Sequence, residues 1–238
     1  MYDLRFLVLI LEGVAAISGL YYSKKNPTDK SVGFFAYFLL LTFFVEALAL
    51  IPTIIYWNES LHFLKETILY SNFWLYNPYS IINFTVYILY FNRKLSNKRI
   101  KNIINKLLIL YVIICIANLV FSDVFFRSHS ALTYLGGSIF LLGVIFYFYF
   151  EILLSDKILS IKRELSFYIS IITLLYFLTT APIWIYYRYY TIESPEFVEF
   201  SDIVLIAMNI FMYGSYSIAF LWLANKKNSS SKKLKNAF

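Results

Sequence analysis

NRKLSNKRIKNIINK, residues 92–106, carries Arg93, Lys94, Lys98, Arg99, Lys101 and Lys106 without a single acidic residue. An apolar run long enough to cross a bilayer lies on each side of it. Short basic loops between crossings are retained on the cytoplasmic side. Placing this loop there fixes every other segment, because each crossing reverses the side of the next loop.

Working outward, seven apolar segments can be marked, at roughly 4–22, 32–57, 73–91, 103–121, 131–154, 165–187 and 203–224. Each approaches the ~20 residues that a membrane-crossing helix requires. Composition agrees: 60% of the residues are hydrophobic, 15% are charged and the mean hydropathy is +0.66. That balance leaves too little polar surface for a water-soluble domain. The expected fold is an all-α integral membrane protein, with one seven-helix transmembrane domain over 1–224 and a basic cytoplasmic tail, 225–238, expected to be disordered. Lys24 and Lys25 follow the first segment with no small-residue cleavage site before them, so it reads as a retained helix and not as a signal peptide.

Of 21 Lys and Arg, only Arg5, Lys65, Arg127 and Arg188 fall on the side opposite the basic loop. This asymmetry places the N-terminus outside and the C-terminus in the cytoplasm, the topology of a multi-pass protein of a bacterial cytoplasmic membrane. Asp3, Glu59, Glu66, Asp123, Glu193, Glu196, Glu199 and Asp202 then all lie outside. Trp57, Trp74 and Trp184 come at outer helix ends and Trp222 at an inner one, as interfacial belts require. Between the second and third segments, Leu61, Leu64 and Ile68 repeat at helical spacing, which predicts a short amphipathic helix on the outer surface. The expected partners are the lipid bilayer, anionic headgroups at the basic loops and tail, and a second copy or another membrane protein. Nucleic acid is not expected, because the basic residues sit in short loops and not on one folded face.

Several chemistries are excluded. No lysine lies central in any segment, so a retinal Schiff base has no anchor. His62 and His129 both fall in outer loops, which argues against paired haem ligands within the membrane. The single Cys115 permits neither an internal disulfide nor a cysteine cluster. With no aspartate-rich pair and loops too short for a soluble catalytic module, no enzyme, cofactor, catalytic residue or metal site is expected.

Ionisable groups inside a membrane are costly and mark function by default. Glu12, Glu46 and Glu151 qualify. Glu46 shares a helical face with Thr42, Ala49 and Thr53; Glu12 shares one with Ala15, Ala16 and Gly19. Glu151 lies nearer the cytoplasmic end and can snorkel. The third segment aligns Tyr76, Ser80, Asn83, Tyr87 and Tyr90, and the seventh aligns Asp202, Asn209, Tyr213 and Tyr216, two stripes of the kind that line a wet cavity. The sixth adds Thr173, Tyr176, Thr180 and Trp184, with Pro182 permitting a kink. The competing reading is ordinary helix packing, in which the carboxyls are interhelical hydrogen-bond partners. The candidate solute or proton pathway is therefore Glu12, Glu46, Thr42, Asn83, Tyr87, Asn209, Tyr213, Trp184 and Glu151.

Segments one to three and five to seven superpose as parallel repeats joined by segment four. Pro52 and Tyr56 then correspond to Pro182 and Tyr186, and Asn83 to Asn209. This arrangement, with an external N-terminus, resembles that of the SWEET sugar transporters, whose third helices each place an asparagine at the substrate site. The chain departs from that family in lacking a proline in the first helix of each repeat. The tract YNPYSIINF, 76–84, together with a proline and aromatics closing the sixth segment, more closely resembles uncharacterised bacterial seven-helix membrane proteins, a resemblance that implies topology and no activity. Three roles are carried forward: a transporter or channel for a small polar solute or cation, proton-linked through the carboxylates; a ligand-binding sensor that signals through a separate partner; and an assembly subunit of a membrane complex.

Overall fold

A computed structural model describes residues 2–190 and 194–235; Glu193 and residues 236–238 of the tail lie outside the described residues. The described chain is helical, with no strand. The helices are α1 (Tyr2–Lys25), α2 (Lys30–Leu48), α3 (Ile51–Trp57), α4 (Phe73–Lys94), α5 (Lys98–Phe121), α6 (Val124–Arg127), α7 (Ala131–Leu153), α8 (Leu165–Tyr190) and α9 (Pro195–Lys235).

Among the described residues, six helices are long and apolar enough to cross a membrane: Leu4–Lys25, Lys30–Trp57, Lys98–Phe121, Ala131–Leu153, Leu165–Tyr186 and Pro195–Lys226. This is a multi-pass membrane protein by length and composition. Its flanks carry large exposed apolar side chains, among them Ile17, Tyr37, Phe44, Ile109, Ile139 and Ile218, a belt that only acyl chains would cover favourably.

α4, the third expected crossing, is not among the six. Its 22 residues match its neighbours in length, but Asn77, Ser80, Asn83, Thr85 and Asn92 lower its hydropathy. The physical reason is its position. It packs against α2, α5, α6 and α7, and Tyr87, Ile88, Tyr90 and Phe91 are all buried. A helix so largely covered by protein needs only a narrow apolar outer side, which Ile82 supplies.

α1, α2, α4, α7, α8 and α9 pack in that order and close on α1, forming a ring, while α5 stands outside it against α4 and α7. The packing order is unchanged when α1, α2 and α4 are exchanged for α7, α8 and α9. The small face of α1 is spent inside this ring. Ala15 and Ala16 are fully buried, and a methyl group on Gly19 would lie 3.2 Å from both Ala36 and Phe220, on α2 and α9.

Two local features shape the end of the bundle that holds the N-terminus. α2 and α3 are separated at Ala49 and Leu50, just before Pro52, and Asn72 donates to the Ala49 carbonyl at 2.9 Å. The Ala49 carbonyl, which lies at the break between the two helices, is thus satisfied by a side chain. The segment expected as an amphipathic α-helix is instead wound as two tighter 3-10 turns, Glu59–Glu66 and Ile68–Tyr70, capped by Asn58 and Thr67. At Pro182, where a kink is permitted, α8 remains one helix. α9 runs from Pro195 to Lys235, past the end of the apolar run.

Candidate functional site

A cavity of about 630 Å³ opens at the end of the bundle that holds the N-terminus and is lined from every helix of the ring. Of the nine pathway candidates, it brings together Glu12, Glu46, Asn83, Tyr87, Asn209, Tyr213 and Trp184. Thr42 lies just behind the wall, buried, with its hydroxyl 2.7 Å from that of Tyr79, which does line the cavity.

Glu151 is not brought to it. Its carboxylate accepts from the backbone N–H of Ser96 at 2.5 Å and of Asn97 at 3.1 Å. Asn97 in turn caps α5, so Glu151 fastens the organising basic loop to α7.

The two remaining carboxyls lie close enough to feel each other's charge. Glu46 Oε2 accepts from the Tyr76 hydroxyl at 2.7 Å. Glu12 is only 2% exposed; the Tyr213 hydroxyl faces its carboxyl, and its Oε2 has no hydrogen-bond partner among the described residues. A buried carboxyl oxygen without a donor is an expensive arrangement unless something fills it. At the mouth, Arg5 pairs with Asp202 at 3.4 Å, joining the first and last helices of the ring.

Aromatic side chains form the upper wall. Tyr134 and Trp184 stack with ring centres 4.2 Å apart, and His129 packs edge-on to Trp184 at 5.1 Å and beside Tyr76 at 6.0 Å. His129 belongs to the connection between α6 and α7, and burial pushes its imidazole down to about 4, so it is neutral at pH 7. Asn77 holds that connection in place. Its amide donates to the carbonyls of Val124, Phe125 and Ser128 at 2.9–3.2 Å, and its oxygen accepts from Ser130 N–H at 3.0 Å.

The floor is aromatic as well. Below Tyr87, Phe35 makes edge contacts with Tyr87 and Tyr216 at 5.4 and 5.7 Å and a tilted one with Tyr90 at 4.9 Å. A chain of hydroxyls crosses this layer, with Tyr87 3.1 Å from Tyr216 and Tyr216 2.7 Å from Thr173. On its far side a smaller cavity of about 230 Å³ opens at the opposite end, lined by Lys94, Glu151, Glu164 and Ser166. Tyr90 bonds Ser166 at 3.0 Å where the two regions meet. Elsewhere, a hollow of about 1070 Å³ lies on the flank between α4 and α5; it is almost wholly apolar and contains none of these groups.

The two halves aligned as repeats in the sequence supply positions at matching intervals to the cavity. Asn83 and Asn209, and Tyr87 and Tyr213, fall at the same interval and all line it, and Tyr90 and Tyr216 follow in the floor. Sequence reasoning missed Tyr79, Tyr134 and His129. His129 reads as a surface loop residue until Asn77 is seen to fold its connection over the cavity. The Arg5–Asp202 pair carries a readable signal, opposite charges at the same depth on the first and last helices. Among the described residues, no three of His, Cys, Asp and Glu gather in a way that holds a metal. No protein-family model, curated protein or solved structure matches the chain.

Proposed function

We propose that this protein is a small transporter of the cytoplasmic membrane that carries a small polar solute or cation, with seven crossings, the N-terminus outside and the cavity opening outward. The observation that carries this reading is the pair of cavities. One opens at each end of the ring, and a single aromatic layer, Phe35, Tyr87, Tyr90 and Tyr216, lies between them. Such a layer is what a rocking exchange of access has to open and close, and binding at the interface of two repeats is its common form. A continuous channel is the poorer fit, since the layer is closed by hydrogen bonds. α4 supplies the seventh crossing: its 22 residues span about 33 Å as a helix, enough for a hydrocarbon core. The orientation follows from the basic loops, which cluster at the end opposite the large cavity.

Glu46 and Glu12 are the proton or cation sites in this reading. The test is proton flux into proteoliposomes under an imposed pH gradient and potential, comparing the native protein with Glu46→Gln at equal reconstitution. Flux that the substitution abolishes supports coupling through Glu46. Flux absent from both, together with no solute uptake, removes the transport reading.

One observation favours a sensor instead. α9 carries Asp202, Asn209 and Tyr213 at the cavity and runs unbroken to Lys235 in the basic tail, a lever that links ligand to partner. Ligand binding without uptake, accompanied by changed exposure of the tail, selects this second reading.

A further inference from the structure

The chemistry of the cavity at the N-terminal end narrows what it takes. Among the described residues its acids outnumber its bases: Glu12, Glu46 and Asp202 line it, and Arg5, already paired with Asp202, is the one Lys or Arg in that lining. Glu12 lines a space much larger than a bare ion needs, and its Oε2 is buried without a hydrogen-bond partner among the described residues. Hydroxyls that would bind a neutral polyol are partly spent within the protein, that of Tyr76 on Glu46, that of Tyr79 on Thr42 and that of Tyr87 on Tyr216. Their rings still form the wall, together with Tyr134 stacked on Trp184.

We propose that the cavity binds a small organic cation, an amine or quaternary ammonium, whose charge sits between Glu12 and Glu46 and whose carbon skeleton lies against the aromatic wall. This rests on the reading of the cavity as the solute site and names the class of solute. Negative ring faces attract ammonium groups, most strongly where water is excluded, and a buried carboxylate supplies the opposite charge. A hard metal cation instead takes six or more oxygen ligands, and a wall of rings does not offer them. An anion would face two carboxylates.

The experiment is calorimetric titration of the full chain in nanodiscs with three probes of similar size: benzylammonium, benzyl alcohol and benzoate. The cation is expected to bind saturably, at least about tenfold more tightly than either of the others. Glu12→Gln, which keeps shape and removes charge, is expected to weaken it by about tenfold or more, a loss typical of a desolvated charge pair. Trp184→Leu is expected to weaken it about fivefold, the size of one cation–π contact. The exposed Glu59→Gln is expected to change nothing. If Glu12→Gln fails to fold, Glu46→Gln carries the same expectation. Equal or tighter binding of benzyl alcohol or benzoate overturns the proposal, as does binding of the cation that neither carboxyl substitution weakens, or no binding of any probe. Uptake is read separately: cation binding without uptake removes transport and leaves the substrate class standing, whereas uptake of a neutral or anionic solute keeps transport and overturns the class.

Discussion

Three glycines on α7 give a test whose sign, and not only its size, depends on the packing. A methyl group built on Gly137 falls inside contact distance of the Phe84 ring and 2.6 Å from the Tyr111 hydroxyl. Neither neighbour is free to yield. Phe84 is fully buried, wedged edge-on against Tyr134 at 5.9 Å and tilted on Phe177 at 5.1 Å, and Tyr111 is bonded to the Thr133 carbonyl at 2.9 Å. Gly143 has nothing within 4 Å of its added methyl, and Gly136 meets only the Tyr111 ring at an ordinary 3.6 Å. Alanine improves helix propensity by about 1 kcal/mol at each position. Forced overpacking costs roughly 1–3 kcal/mol, here toward the upper end because two neighbours are fixed. Gly137→Ala is therefore expected to lose about 1–2 kcal/mol net, while Gly143→Ala gains up to about 1. Thermal unfolding in detergent, read by Trp fluorescence, should separate the two variants by roughly 5–10 °C for a chain of this size. Adding Phe84→Leu to Gly137→Ala should recover part of the loss, a coupling of about 1 kcal/mol in a double-mutant cycle. Gly137→Ala melting with or above Gly143→Ala would refute the close approach of α4 and α7. The effect should also reach the cavity, since Phe84 supports Tyr134 and Phe177, which line it.

Asn77→Leu removes four hydrogen bonds that hold the α6–α7 connection and should cost about 2–4 kcal/mol, with faster hydrogen exchange at residues 124–130; unchanged protection there would sink the assignment. His129 titrates at about 4 when folded against 6.5 when unfolded, so the folded state binds fewer protons. The stability it leaves intact above pH 6.5 is lost as pH falls toward 4, by an amount on the order of 2–3 kcal/mol, and His129→Gln should flatten that part of the stability–pH curve. Glu151→Gln weakens a charged cap on two backbone N–H groups and should lower stability by about 1 kcal/mol while leaving proton flux at the native rate; loss of flux would return Glu151 to the pathway.

The sequence by itself determined the class of the protein. Apolar runs of bilayer length separated by short polar loops admit only helices in a membrane, because backbone groups must be satisfied within each segment. Of the nine pathway residues it marked, seven end up around one cavity, since a carboxylate or asparagine in an apolar run is costly wherever it lies, and helical spacing shows which neighbours share its face. What periodicity alone does not carry is depth and closure. Glu12, Glu46 and Glu151 are all carboxyls in apolar runs, with only Glu151 set nearer a helix end, but it is the packing of α1 against α2 and α9 that brings the first two to one space, and the α4–α5 turn that gives Glu151 two backbone donors. The enclosed position of α4, the fold of the His129 connection under Asn77 and the aromatic floor of Phe35, Tyr87 and Tyr216 were decided by tertiary structure as well. Each depends on contacts between residues far apart in the chain, whose burial is set by the neighbours that surround them and not by their own order.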